Sequence, residues 1–330
     1  MKTLPDARQH LGEAEAEEVF GWILDGETGD EDIARFLVDM SARSETSDEI
    51  AGAARALRAR LIPIAAPVGT GDCCCSGGDG HHTLNVSTAV SLVVAACGVP
   101  VAKHGNRAAS SKAGAADTLE ALGLDMEAAG RSAEKTLAEL GICFLFAKNH
   151  HPAMGRIQPI RQKLGVRTIF NLMGPLSNPA GVRRQLIGIA RPAYVPIYAA
   201  AKANLGTERT FIASGDEGLD ELSLAAGNEL ADVQGNDFEM RRVVAVEANL
   251  PHSPVEAIRG GDPAYNARAL EALLGGSPGA YRDAVLFNAA ATLIIAGRTD
   301  DWTEGAEIAA EALDSGKAKA LLENWIAMTA

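Results

Sequence analysis

Three glycines and an aspartate, Gly77-Gly78-Asp79-Gly80, run into Thr83, Asn85, Ser87 and Thr88 at the start of an apolar stretch. Glycines let a backbone approach a ligand closely, and the unpaired N–H groups at a helix start bind phosphate with help from the helix dipole. A second polar turn follows the run VPVAKHG and carries Lys103, Asn106, Arg107, Ser110, Ser111 and Lys112, cations and hydroxyls of the kind that hold phosphate oxygens. One glycine loop alone is weak; two such strand-to-helix turns in succession point to a phosphate pocket. The spacing fits neither the P-loop pattern GxxxxGK[ST] nor the dinucleotide fingerprint GxGxxG with its downstream acid. An adjacent pair, Asp220-Glu221, follows the run ERTFIAS. Two acids in a turn are most simply a solvated turn, but hard Mg²⁺ prefers oxygen ligands of this type and shares them with substrate phosphate.

Asp72, Cys73, Cys74 and Cys75 lead into the glycine turn. Five cysteines is an odd count, with Cys97 and Cys143 standing alone. Neighbouring cysteines pair poorly with each other and CxxC spacing is absent, so reduced, buried thiols are expected rather than disulfides or zinc. The formal net charge of −13 argues against a nucleic-acid partner, but its distribution is uneven. No Asp or Glu lies between Glu139 and Glu208, a stretch that holds Lys148, Arg156, Arg161, Lys163, Arg167, Arg183, Arg184, Arg191 and Lys202. Gly80 to Ala116 is likewise free of acids and carries Lys103, Arg107, Lys112, His81, His82 and His104. Ordinary solvated cations are one reading; a pocket for a highly anionic small molecule is the other, since a stray carboxylate would repel it.

These residues need a scaffold. A chain of 330 residues, 47% hydrophobic and 5% aromatic, suffices for a large domain and a smaller one. No apolar run reaches the roughly 18 residues that span a bilayer, and no secretion signal is visible, so a cytoplasmic protein without a membrane partner is expected. Residues 1 to 61 read as amphipathic helices: EAEEVFGWILDGE puts Ala14, Val19, Phe20, Ile23 and Leu24 near one face. DEDIARFLVDMSAR and SDEIAGAARALRAR follow, with Ser/Asp/Glu caps at their starts. From about residue 65, apolar runs at 99–105, 183–190, 208–214 and 240–247 are strand candidates that alternate with helical stretches, an α/β pattern. At least three helices are expected over residues 255 to 330.

The segments GGDG…NVST (77–88), KHGNR (103–107), HHPAM…PIR (150–161), RTIFNLMGPLSNPA (167–180), GLDELS (218–223) and LFNAAATLIIAG (286–297) together resemble the anthranilate phosphoribosyltransferase family across nearly the whole chain. The resemblance implies the nucleoside-phosphorylase-type α/β fold. A small helical domain would comprise residues 1 to 64 plus a segment returning near 155–175. A larger α/β domain, 65–330, would hold a central sheet surrounded by helices, with the active site in the cleft between the two. It also implies transfer of phosphoribose from phosphoribosyl pyrophosphate to anthranilate, with Mg²⁺, in a cytoplasmic homodimer.

By the same resemblance, the phosphoribosyl pyrophosphate site takes Cys75, Gly77, Gly78, Asp79, Thr83, Asn85, Val86, Ser87, Thr88, Lys103, His104, Gly105, Asn106, Arg107, Ser110, Ser111 and Ala115. Anthranilate falls to Cys75, Asn106, His151 and Arg161, and Mg²⁺ to Ser87, Asp220 and Glu221. No protein nucleophile is implied: an oxocarbenium-like ribose and a departing pyrophosphate call for positioning and charge neutralisation. His104, His150 and His151 read as pocket walls, because the anthranilate amine is already neutral.

Two positions depart from the family pattern. Cys75-Ser76 replaces the usual Gly-Thr at the lip of the glycine loop, and a Cβ there would be costly if the backbone needed φ > 0. Ala115 stands where many relatives have a phosphate-binding serine, a loss of about 1 kcal/mol. Three readings therefore compete with active transfer: the same fold impaired by its lip, a nucleoside phosphorylase, and a non-catalytic nucleic-acid-binding relative.

Overall fold

The computed structural model describes residues 1–108 and 111–330, so Ser110 lies outside the described residues. Three helices open the chain: α1 (Glu13–Asp25), α2 (Asp30–Arg43) and α3 (Ser47–Arg58). On α1 the buried stripe is Ala16, Val19, Phe20, Ile23 and Leu24. Ala14, expected on that face, is exposed, because Ala16 lies closer in angle to Phe20 and Ile23. The caps also differ from expectation. Gly29 precedes α2 with no side-chain cap, while α3 is capped by Thr46 in a capping box with Glu49 rather than by Ser47.

A later segment closes this helical unit. Ile157 and Ile160 of the helix Met154–Leu164, with Ile169 and Phe170 beyond it, share one core with Phe20, Ile33, Phe36 and Ile50. Phe20 meets Phe170 edge-on at 5.8 Å. Arg156 pairs with Asp30 at 2.9 Å, and the Ser41 hydroxyl donates to the Arg167 carbonyl at 2.9 Å.

The rest is built on one sheet of seven strands: β1 (Gly71–Cys75), β2 (Val101–Gly105), β3 (Ile142–Phe146), β4 (Arg184–Gly188), β5 (Thr207–Gly215), β6 (Asn228–Gly235) and β7 (Asp237–Val243). The order is β3-β2-β1-β4-β5-β6-β7, parallel through β5 and antiparallel beyond it. The cysteine run is therefore not the entrance of a turn but a central strand. Cys73 is buried in the core on one face of the sheet and Cys74 in the core on the other, as a strand with helices on both sides requires. All five cysteines are free. β3 and β6 were not among the expected strands, and the expected strand at 240–247 stops at Val243 before a 3₁₀ turn, Ala245–Ala248. Four helices end the chain: Pro263–Leu274, Ala280–Ile295, Trp302–Asp314 and Lys317–Thr329. Among the described residues no helix is long and apolar enough to cross a membrane.

One feature of the strand order places the site. β1 pairs with β2 on one side and β4 on the other, and the chain leaves its carboxyl end in opposite directions around that point. Ligands of open α/β sheets bind at such a switch point.

Candidate active site

The glycine loop leaves β1 at the switch point. Gly77, Gly78 and Gly80 have φ of 72°, 82° and 79°, which side chains rarely adopt, and open space surrounds each. Cys75 is the last residue of β1 and is not among the residues with positive φ, so its Cβ carries no backbone strain. Ser76 N–H donates to the Gly188 carbonyl at 2.8 Å, which pins the lip to β4. Below the loop, α4 (Val86–Ala96) begins at Asn85. The Asn85 side-chain oxygen accepts from Thr118 (2.6 Å) and Asn266 (2.8 Å), two residues that the sequence did not flag, and its amide nitrogen donates to the Ala113 carbonyl at 3.2 Å. Thr83 pairs with Arg259 in an isolated bridge that holds the loop down.

Asp220 and Glu221 come from the β5–β6 connection and are buried beneath this loop. Asp220 accepts from the Gly77 N–H at 2.7 Å; Glu221 Oε1 accepts from the Ser87 N–H at 3.0 Å and the Cys75 thiol at 3.6 Å. The remaining oxygen, Glu221 Oε2, is buried with no partner, as are Ser76 Oγ and Thr88 Oγ1. Burial raises both carboxyls above the ordinary carboxylate range. Asp79 raises Asp220 further, and Asp220 does the same to Glu221. Lys103, buried, donates to the Cys73 carbonyl at 2.8 Å and lies 3.4 Å from Ser87 Oγ. The Ser87 hydroxyl and two crowded carboxyls, one with an orphaned oxygen and neither in an ion pair among the described residues, form an oxygen-rich set that suits a hard divalent cation.

Gly188 and Asn288 are the supports that sequence reasoning missed. A Cβ on Gly188 would lie 1.6 Å from the Asp220 carbonyl oxygen, so only glycine lets the acidic turn pass over β4. Asn288, 2% exposed, clamps the Leu222 backbone with a bond in each direction, both 3.0 Å. Its signal was available: a single amide inside the apolar run LFNAAATLIIAG.

β2 supplies the neighbouring wall. His104 Nδ1 faces the Gly174 carbonyl at 3.1 Å, and a carbonyl only accepts, so Nδ1 carries the proton. His104 Nε2 is then bare and accepts from His151 Nε2 at 3.2 Å, which leaves His151 Nδ1 as a buried acceptor with no partner. Burial, with the neighbouring imidazole second, lowers His104 to about 3; burial and then His150 lower His151 to about 4. Both rings are neutral at pH 7. His150 is turned away, its Nδ1 against the Ile62 carbonyl at 2.9 Å.

Asn106 and Arg161 face a shared cleft of about 470 Å³, to which Gln158 and Asn171 also contribute. Arg161 is half-buried, burial lowers its guanidinium below the usual range, and no carboxylate pairs with it among the described residues. Arg107 is different: its guanidinium is already held by Asp117 (2.9 Å) and Glu120 (2.8 Å) of α5 (Ala115–Ala121), so it is paired rather than awaiting a phosphate. Gly105 has no room for a side chain against Phe144, and Ala115 opens α5. Ser111 Oγ bonds the Ala113 carbonyl at 3.3 Å, and Val86 N–H bonds the Leu84 carbonyl at 2.7 Å.

A helical unit beside an α/β domain whose glycine loop and acidic turn meet at the switch point is the architecture of a glycosyl transferase. Residues 69–319 match the "Glycosyl transferase family, a/b domain" and residues 4–61 the "Glycosyl transferase family, helical bundle domain". The chain is 79% identical to an anthranilate phosphoribosyltransferase of Erythrobacter litoralis, over 99% of both chains. It is 70% identical to that of Novosphingobium aromaticivorans, again over 99% of each. A crystal structure of the Thermus thermophilus anthranilate phosphoribosyltransferase superposes with a TM-score of 0.90 at 41% identity, covering 98% of this chain and 97% of that one. The Saccharomyces cerevisiae enzyme in complex with phosphoribosyl pyrophosphate and Mg superposes at 0.88 with 27% identity, covering 97% and 93%. The chain belongs to the anthranilate phosphoribosyltransferase family.

Proposed function

We propose that this chain transfers the phosphoribosyl group of 5-phosphoribosyl 1-pyrophosphate to anthranilate, in tryptophan biosynthesis. The anthranilate nitrogen bonds ribose C1, the C1–oxygen bond to pyrophosphate breaks, and the amine gives up one proton. The observation that carries this reading is Arg161, a half-buried cation without a carboxylate partner among the described residues, lining with Asn106 an open cleft just past the carboxyl end of β2. A benzoate needs such a pair. The donor's phosphates fall to the loop at Gly77, Gly78 and Gly80, where the N–H groups of Gly78 and Gly80 are the donors because Asp220 takes that of Gly77, to the α4 start with Asn85, Ser87 and Thr88, and to Lys103.

Ser87, Asp220 and Glu221 would hold Mg²⁺, which supplies charge neutralisation on the pyrophosphate. The S. cerevisiae enzyme in complex with Mg and phosphoribosyl pyrophosphate supports the metal, and the unpartnered Glu221 oxygen supports this set. His151, neutral with a value of about 4, is too weak a base to remove the amine's proton early. Catalysis rests on positioning and electrostatics, with water kept out as the helical unit closes over the cleft. The division at about residue 64, with 155–175 returning to the helical unit, belongs to this proposal. So do a homodimer through that unit and a cytoplasmic location suited to five free thiols.

The test is loss of anthranilate fluorescence with purified protein, donor and Mg²⁺, beside Arg161→Ala. The unaltered chain should turn over, and the variant should raise the KM for anthranilate by about 10- to 100-fold, the worth of a charge-assisted bond. No turnover by the unaltered chain would overturn the reading.

A further inference from the structure

A second cleft, of about 460 Å³, lies at the amino ends of the central strands, where β4 and β5 begin. One wall is apolar: Leu61, Pro63, Pro179 and Val182. The other carries Arg58, Arg183 and Gln185, and no carboxylate lines the cleft among the described residues. Arg58 is half-buried; its Nε donates to the Leu176 carbonyl at 2.6 Å, and no carboxylate is among the groups that act on its charge: Arg55 repels it and the Tyr198 phenol acts weakly the other way. Arg183 is exposed and sits 4.0 Å from Glu208, a loose pairing.

A third cation stands directly behind them. Lys202 is fully buried and donates to the Gln185 side-chain oxygen, and the Gln185 amide nitrogen is tied to the Pro175 carbonyl at 2.9 Å, which fixes the oxygen toward the lysine. Burial and then Arg58, with Arg183 a smaller contributor, bring Lys202 down to about 7. Arg58 and Arg183 thus share one cleft, with the buried and only partly charged Lys202 behind it, in a chain whose formal net charge is −13. Cations held together in partial burial without a lining carboxylate repel each other until an anion joins them.

We propose that this cleft is a second ligand site, for a small organic carboxylate with an apolar body, its carboxylate between Arg58 and Arg183 and its hydrocarbon on the proline and leucine wall. The volume is in the range of small-molecule pockets, and the combination of an apolar wall with a few convergent polar groups is their usual make-up. Inorganic phosphate satisfies the cations but not the wall. The site is separate from the Arg161 cleft, which lies past the carboxyl end of β2 and shares no lining residue with it.

Binding is read by ¹⁹F line broadening of 3-(4-fluorophenyl)propanoate added to the full-length Arg161→Ala protein, in which the first cleft has lost its cation. Saturable binding is expected, weakened at least about tenfold when Arg183→Glu is added, since an exposed charge is reversed without touching the core. The same affinity with and without Arg183→Glu overturns the site, and so does the absence of saturation up to about 10 mM. Displacement by an equal concentration of inorganic phosphate overturns the organic part of the claim. The readout needs no turnover, so failure of the transferase assignment and failure of this site are distinguishable.

Discussion

Cys75 stands where the resemblance expects a glycine, and its geometry decides what that means. The residue ends β1 without positive φ, and its thiol lies 3.6 Å from Glu221, so a glycine there would relieve no strain and would loosen the strand end. Cys75→Gly should cost about 0.5–1 kcal/mol in urea unfolding while turnover stays within about fivefold. A tenfold gain in turnover would instead show the lip to be an obstruction. The histidine pair has its own signature. His104 and His151 are held neutral, with folded values of about 3 and 4 against 6.5 when unfolded. The unfolded chain therefore binds more protons across that window, and stability falls as pH drops from 6.5 toward 4, by about 1.4 kcal/mol per pH unit for each ring. His151→Gln should flatten this acid slope relative to the unaltered chain in unfolding curves taken at pH 6.5, 5.5 and 4.5. An identical slope would mean that the ring is already solvated.

At the scale of elements, the helices were legible and the strands only partly so. The α2 and α3 segments announced themselves by 3.6-residue periodicity and acidic starts, which local chemistry determines. β1 hid because three cysteines carry little strand propensity and its both-face burial leaves no alternation; the sandwich between two cores is a tertiary fact. β6, NELADVQG, pairs with two antiparallel neighbours and owes its strand state to them rather than to its composition. For the site, residues that carry charge or a hydroxyl were readable in the motifs, whereas those that aim them were not: Thr118 and Asn266 become partners of Asn85 only after folding. Gly188 is the sharpest case. Gly188→Ala drives a methyl into the Asp220 carbonyl, 1.6 Å away, and the acidic turn must move off β4. Turnover should fall by at least about a hundredfold as the Asp220-Glu221 set is displaced, with far-UV circular dichroism retained. Near-normal turnover would show that the turn's position is not what the site needs.

The whole molecule sets two electrostatic demands against each other. A chain with a formal net charge of −13 repels a polyanionic donor at long range, and if that field governed encounter, added salt would speed the reaction. The acid-free segments oppose it locally, though not uniformly. Arg156 and Arg184 are answered by Asp30 and Glu208, so part of that cationic run is ordinary surface pairing. Arg161 and Lys103 have no carboxylate partner among the described residues and lie at the cleft and beneath the glycine loop, within reach of a donor docking there. A concave site focuses such charges, and focusing outweighs the sum of distant charges within about a Debye length, roughly 10 Å at 0.1 M salt. The value of kcat/KM for phosphoribosyl pyrophosphate should therefore fall several-fold between about 20 and 200 mM NaCl at fixed Mg²⁺, and the fall should be shallower in Arg161→Ala. A rise with salt would place the net charge, and not the cleft, in control of association.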